Sequence, residues 1–294
     1  MIWLSMSTAV QPLLRTSLPK ASARLPLGGT GLQVSPICFG ITGAPECVPA
    51  AFDAGVNFFF LSADLHWPLY EHTRKGLEML LDRSPSIRDQ IVVGVVSYLD
   101  QPLFQALQFH EVIDSVRGLR RVDILIAGAV WNESNFSTRL EAMRLAQSIR
   151  HNGAIGKGAS FHDRRSAVFS INYNCLDVNF VRYNTAHAGA RHDLFPYMRH
   201  DRTSLIYNFK SVLSVVTPER FRELGLASTY WLPRPVDYYR FVLSNPHIDG
   251  ILCSPESEQH VGDLMDALDE RPLTISEQEY MIWLSSSATP KYFL

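Results

Sequence analysis

No apolar run in this chain approaches the roughly 18 residues that a bilayer-spanning helix needs, so no transmembrane segment is expected. Excess charge is also missing. Against 27 Lys and Arg stand 29 Asp and Glu, a formal net charge of −2 with a pI near 6.5. That balance gives no electrostatic footing for nucleic acid or for an anionic membrane surface. Cysteine is sparse: Cys38, Cys47, Cys175 and Cys253 show no CxxC spacing, which argues against a disulfide framework or a structural zinc site. The ten histidines are scattered, with no HExxH or HxH pattern, so no metal site is expected. No Gly-x-Gly-x-x-Gly follows a strand-like run, which weighs against a Rossmann domain. The opening Met1-Ile2-Trp3-Leu4-Ser5, repeated at Met281–Ser285 without architectural meaning, lacks the marks of a signal peptide, and a cytoplasmic location is expected.

What the chain does have is rhythm. Residues 1–22 carry Ser, Thr and Pro without periodicity and read as an N-terminal extension. From residue 23 to 294 the pattern is that of one domain with a C-terminal helix or tail. Leu27-Gly28-Gly29-Thr30-Gly31-Leu32 reads as a hairpin, since glycine supplies the positive φ of a tight turn. Short apolar runs follow at Ile37–Phe39, Val56–Leu61, Ile91–Ser97, Val122–Ala127, Ala154–Ser160, Asp177–Arg182, Ser204–Asn208 and Ile248–Cys253. Amphipathic segments at 46–54, 69–82, 101–117, 137–151, 163–172, 190–199, 234–244 and 256–269 alternate with them. Asn152-Gly153 and Asn245-Pro246 mark helix stops. Eight β/α alternations in about 250 residues predict an α/β fold, a closed (β/α)8 TIM barrel whose active site lies at the C-terminal ends of its strands. The stretch 209–232 is long for a βα connection and has the length of a lid.

Several segments are similar to one family. Leu27–Ser35 resembles the N-terminal hairpin of aldo-keto reductases, and Ala51-Phe52-Asp53-Ala54-Gly55-Val56-Asn57-Phe58-Phe59 the family's second strand with the helix before it. Ala154-Ile155-Gly156-Lys157-Gly158-Ala159-Ser160 looks like its fifth-strand signature. Val181-Arg182-Tyr183-Asn184-Thr185-Ala186-His187 with Phe195-Pro196 resembles a bacterial branch, and Asp237–Leu243 with Asn245-Pro246 its seventh helix. The resemblance spans residues 25–273 and implies a barrel of aldo-keto reductase type with an N-terminal β-hairpin.

The same resemblance implies hydride transfer from a reduced nicotinamide, with an Asp, a Tyr, a Lys and a His at strand ends handling the proton. At the matching positions this chain has Phe60, Leu65 or His66, Val96 and Gly128. Apolar side chains cannot transfer a proton. After the eighth strand, where a cation meets the phosphate of NADPH, it has Glu256 and Glu258, which repel a phosphate. No cofactor is therefore favoured, NADPH being weakened.

The residues point instead to non-redox acid–base chemistry on a small polar metabolite bearing a carboxylate or carbonyl: elimination, dehydration, isomerisation or cyclisation. His66, Asp64 and Tyr98 are the proton-transfer candidates, Tyr98 because it lies just beyond the lost Lys position. Asp64 fits a helix cap equally well, as does His162-Asp163. Arg182, Asn184, Trp131 and Tyr207 are the substrate-binding candidates. A strand-end Arg needs either an acid such as Asp177 or Glu133 or an anionic ligand. Two other readings stay open: an NADPH-dependent carbonyl reductase with a rebuilt proton relay, and an inactive binding or scaffold barrel whose mouth is plugged by side chains such as Phe60.

Overall fold

The computed structural model describes residues 14–148, 154–226 and 228–288. Two short strands, β1 (Leu25–Pro26) and β2 (Gln33–Val34), pair antiparallel as a hairpin. Eight parallel strands then close a barrel: β3 (Ile37–Phe39), β4 (Phe58–Ser62), β5 (Val92–Ser97), β6 (Ile124–Val130), β7 (Gly156–Phe161), β8 (Val178–Arg182), β9 (Leu205–Phe209) and β10 (Gly250–Cys253). They lie in chain order, and β10 returns to pair with β3. The helices are α1 (Cys47–Asp53), α2 (Glu71–Arg83), α3 (Pro102–Ser115), α4 (Glu133–Ser148), α5 (Arg164–Asn172), α6 (Ala190–Asp193), α7 (Pro218–Glu223), α8 (Pro235–Leu243), α9 (Glu258–Leu268) and α10 (Ile275–Ala288). The predicted (β/α)8 barrel and hairpin are thus observed, each barrel strand falling on its apolar run.

The departures have local causes. Helix α4 begins at Glu133, not 137, because the Asn132 side chain accepts from the backbone N–H of Asn135 (2.9 Å) and caps the helix. The segment predicted as a helix over 190–199 breaks into α6 and a 3₁₀ turn at Phe195–Tyr197, since the residue before Pro196 is disfavoured in helical geometry. The Asn152-Gly153 helix stop, the Met1–Ser5 repeat and any tail beyond 288 lie outside the described residues. Of the proposed extension, residues 14–22 lie against the barrel: Leu18 and Ala21 are buried, and Arg15 Nη2 donates to the carbonyl of Ile248. Gly55, at φ +99°, makes room for that strap, because a Cβ there would stand 3.0 Å from Ser22.

Alternation along the strands aims large rings at the barrel axis. Phe58 meets Tyr207 edge to face (centroids 5.4 Å apart) and Phe180 at 6.4 Å, while Phe60 meets Phe180 at 5.2 Å and Tyr70 at 6.3 Å. Glycine on a neighbouring strand admits the Tyr207 ring, since a Cβ at Gly250 would collide with it; one at Gly94 would crowd Ile126 at 2.9 Å and touch Phe58 at 3.4 Å. Tyr207 therefore departs from its expected role at the mouth. It is fully buried, and its hydroxyl donates to the carbonyl of Ser35 (2.6 Å), just before β3 at the barrel floor. A mid-strand position cannot reach the rim.

A buried ion pair ties the strand starts on one side. Arg88, wholly buried, donates to Asp123 Oδ2 (2.7 Å) and to the carbonyls of Leu119, Ile91 and Arg121. Asp123 also accepts from the backbone N–H of Val93 (2.8 Å), stitching β5 to the start of β6. Around residues 209–232 the chain is tethered: Val216 and Phe221 pack with Leu284 of α10, Val216 N–H donates to the Tyr238 hydroxyl, and Tyr280 donates to the carbonyl of Trp231. Replacing Asp123 by Ala leaves the Arg88 guanidinium buried without its counter-charge, with an expected loss of about 3–5 kcal/mol in denaturant unfolding. A loss under about 1 kcal/mol would deny the pair that role.

Candidate functional site

Two groups of polar residues stand on the rim at the strand C-termini. The first follows β4 and β5. The Asp64 carboxylate accepts from Ser97 Oγ (2.6 Å), from the backbone N–H of Tyr98 (3.1 Å) and from that of Leu65 (2.6 Å). It caps the loop and the end of β5, so most of its lone pairs are committed. Tyr98 lies edge-on to His66 with centroids 5.0 Å apart. Burial, reinforced by the charge of Asp64, pushes the Tyr98 phenol up to about 12, which keeps it protonated near neutrality and makes it a hydrogen-bond donor. Gly128 is what lets that ring lie across the mouth. A Cβ there would stand 2.5 Å from it. Phe60 and Val96 are buried in the barrel.

The second group follows β6 to β9. Arg182 is the last residue of β8, and its Nε is buried with no hydrogen-bond partner. Neither Asp177 nor Glu133 meets it. Among the described residues the guanidinium makes no ion pair, and the neighbouring charge that bears on it is the cation Arg164. Burial first, and then Arg164, hold Arg182 below the usual guanidinium range. Arg164 itself is neutralised by Asp193 on α6 (2.6 Å). Near Arg182 stand two imidazoles, His162 and His187, each held below its ordinary value by burial and then by Arg182. Lys210 adds its charge to both and pairs with no acid among the described residues. Trp131, 61% exposed, stacks on His162 with ring centroids 4.0 Å apart, and Phe209 meets the same imidazole edge-on at 5.7 Å.

Asn184 is built into the loop after β8. It is fully buried, its Oδ1 accepting from the backbone N–H groups of Ala186 (3.1 Å) and His187 (2.9 Å), its Nδ2 donating to the carbonyl of Lys210 (2.8 Å). Both the oxygen and one N–H of its amide serve the loop. Asp163 takes the capping role, accepting from Arg165 and Ser166 at the start of α5. Of the sequence candidates, the fold brings Asp64, His66 and Tyr98 together on one side and leaves Arg182 with Trp131's stack on the other. No hydrogen bond or ring contact joins the two groups among the described residues. His162, His187 and Lys210 carry no spacing motif that links them to Arg182, and Arg164 follows the capping Asp163 as an ordinary helix residue; only barrel closure assembles them.

Two concavities lie off the barrel axis. One of about 510 Å³ opens between the loop after β4 and α3, with Asp64, Trp67, Glu111 and Asp114 in its wall. The other, of about 560 Å³, lies at the barrel floor beside Arg202, His247 and Asp249. No group of His, Cys, Asp and Glu able to hold a metal ion occurs among the described residues. No helix there is long and apolar enough to cross a membrane.

No protein-family model and no curated protein matches the sequence. Solved structures do. The holo form of the aldo-keto reductase AKR11C1 from Bacillus halodurans superposes with a TM-score of 0.65 at 12% identity, covering 93% of this chain and 98% of that one. The Pseudomonas aeruginosa protein PA4992, provisionally named an aldo-keto reductase, gives 0.56 at 15% identity over 87% and 97%. The chain has the aldo-keto reductase fold.

The imidazoles of His162, His187 and His247 are all depressed, chiefly by burial. The unfolded chain therefore binds more protons than the folded one as pH falls below the ordinary imidazole value of about 6.5. Stability is expected to be full above that pH and to decline as pH drops through the folded values. A melting temperature flat from pH 7 to about pH 5 would contradict this.

Proposed function

We propose that this chain is a divergent aldo-keto-reductase-like enzyme that anchors a small anionic metabolite at Arg182 and carries out non-redox acid–base chemistry on it. One observation carries the reading: a half-buried guanidinium at the end of a barrel strand, with a buried Nε and no acid among the described residues to meet it. A charge so placed costs stability unless a ligand supplies the counter-charge, and a planar guanidinium suits a carboxylate. The neutral imidazoles beside it are proton acceptors in the protonation state such chemistry needs. Across the rim, Tyr98 offers a hydrogen bond rather than a proton, with the His66 ring edge-on to it.

Hydride transfer is disfavoured on two counts. The positions matched to the family's proton relay hold Phe60, Val96 and Gly128, with the ring of Tyr98 over the last. The residues after β10 also fit a dinucleotide phosphate poorly. Gly43 N–H donates to the carbonyl of Pro255 (2.9 Å), and a Cβ at Gly43 would stand 2.5 Å from Glu256 O, so this loop is packed shut. Ser257 caps α9 and Glu258 occupies its first turn, satisfying the positive helix end from within. The filled barrel axis keeps a second reading in play, a barrel that binds its anion without turning it over.

Titrating the protein with NADPH while following tryptophan fluorescence is expected to give no saturable change; saturation at micromolar NADPH would favour a reductase with a rebuilt relay. Acetate, followed through Trp131 fluorescence, is expected to bind, and Arg182→Ala to weaken it by roughly 30-fold or more, on the order of 2 kcal/mol. Undiminished binding in that variant would remove Arg182 as the anchor.

A further inference from the structure

One amide settles more than its own hydrogen bonds. Asn184 Oδ1 accepts from two backbone N–H groups, at 3.1 and 2.9 Å, while Nδ2 faces the carbonyl oxygen of Lys210. Exchanging O and N would set donor against donor and acceptor against acceptor, so the amide orientation is fixed by the backbone. The same Oδ1 lies 3.3 Å from His187 Nδ1. An amide oxygen has no proton to give. That contact suits an Nδ1 that carries the hydrogen, and a neutral imidazole protonated at Nδ1 has its lone pair on Nε2. That Nε2 has no partner among the described residues. The Lys210 end of the amide is equally constrained: its backbone sits at φ +60°, a left-handed geometry uncommon for lysine, with its carbonyl held by Asn184. Asn184 thus ties down the backbones that carry one base and one unpaired cation beside Arg182.

Counting charge gives the ligand class. Arg164 is cancelled by Asp193, and Arg182 lies across the β8–β9 register from Phe209, the residue before the exposed Lys210, so these two cations, neither with an acid partner among the described residues, stand side by side at the strand ends. A single carboxylate would neutralise only one of them. We propose that Arg182, Lys210 and His187 form a cradle for a doubly charged oxyanion, a phosphate monoester or a dicarboxylate, with His187 Nε2 as its proton acceptor and Asn184 as the positioning residue. This rests on the reading of Arg182 as the anchor. In the step it serves, a substrate C–H bond breaks and an N–H bond forms at Nε2. The electron pair stays on the substrate carbon, and the imidazolium returns the proton to a neighbouring carbon or a leaving group. No oxidant or reductant is consumed.

The groups that bear on His187 are Arg182 from β8, Arg164 from α5, Lys210 after β9 and Asn184 in its own loop. Long-range ¹H–¹⁵N spectra of the unaltered protein, with His187 assigned through His187→Gln, are expected to show the Nδ1–H tautomer with an unprotonated Nε2. A predominant Nε2–H form would overturn the role given to Asn184 and His187. Inorganic phosphate and malonate at pH 8 are each expected to bind about tenfold or more tighter than acetate, the tighter of the two naming the source of the dianion. Lys210→Ala should bring phosphate and malonate down to about the acetate level, and dianion binding undiminished in that variant would remove Lys210 from the cradle. Equal affinity for all three anions in the unaltered protein would sink the dianion cradle while leaving the Arg182 anchor standing. The anchor fails separately, if Arg182→Ala binds acetate as before.

Discussion

The packing of aromatic rings along the barrel axis is the constraint from which the rest follows. Phe58, Phe180, Tyr207 and Phe60 interlock at centroid distances of 5.2 to 6.4 Å, with Tyr70 closing over the top. Such contacts combine large apolar burial with edge-to-face geometry, and they fill the axis so that polar chemistry is confined to the rim. The glycine at position 250 is the complement of the Tyr207 ring. At the floor, the hydroxyl of Tyr207 reaches the carbonyl of Ser35 and anchors the stack.

Above that plug the rim divides by charge. On the β4–β5 side a carboxylate is absorbed into backbone capping and a phenol is kept protonated by burial and by that carboxylate. On the β6–β9 side Arg182 and Lys210 meet no acid among the described residues, and burial keeps the imidazoles neutral in their field. An arc of this kind is costly to the empty protein and favourable to an anionic ligand. Apolar burial along the filled axis below works in the opposite direction and stabilises the barrel.

Strand positions were legible because a buried parallel strand must be apolar on both faces, and each such run is short and bounded. Ile91–Ser97 became β5 (Val92–Ser97) for that reason. Capping residues were legible too: Asp163 starts α5 as its position before an amphipathic run suggested. Tyr207 was misplaced because the level a strand residue occupies within a barrel depends on strand tilt and length, and one-dimensional spacing records neither. Asn184 was misread for a related reason. A strand-end Asn looks the same in sequence whether its amide faces a ligand or closes a loop around its own backbone.

By itself, then, the sequence determined the barrel, its hairpin and the apolar residues at positions 60, 96 and 128, because burial and periodicity are local properties that each segment carries with it. The tertiary structure alone decided that no acid among the described residues meets Arg182, that His162, His187 and Lys210 share its field, and that the Asn184 amide oxygen lies against Nδ1 of His187. Those are facts about distances between residues on different strands and loops, and electrostatic and hydrogen-bond partnerships exist only once barrel closure has fixed those distances.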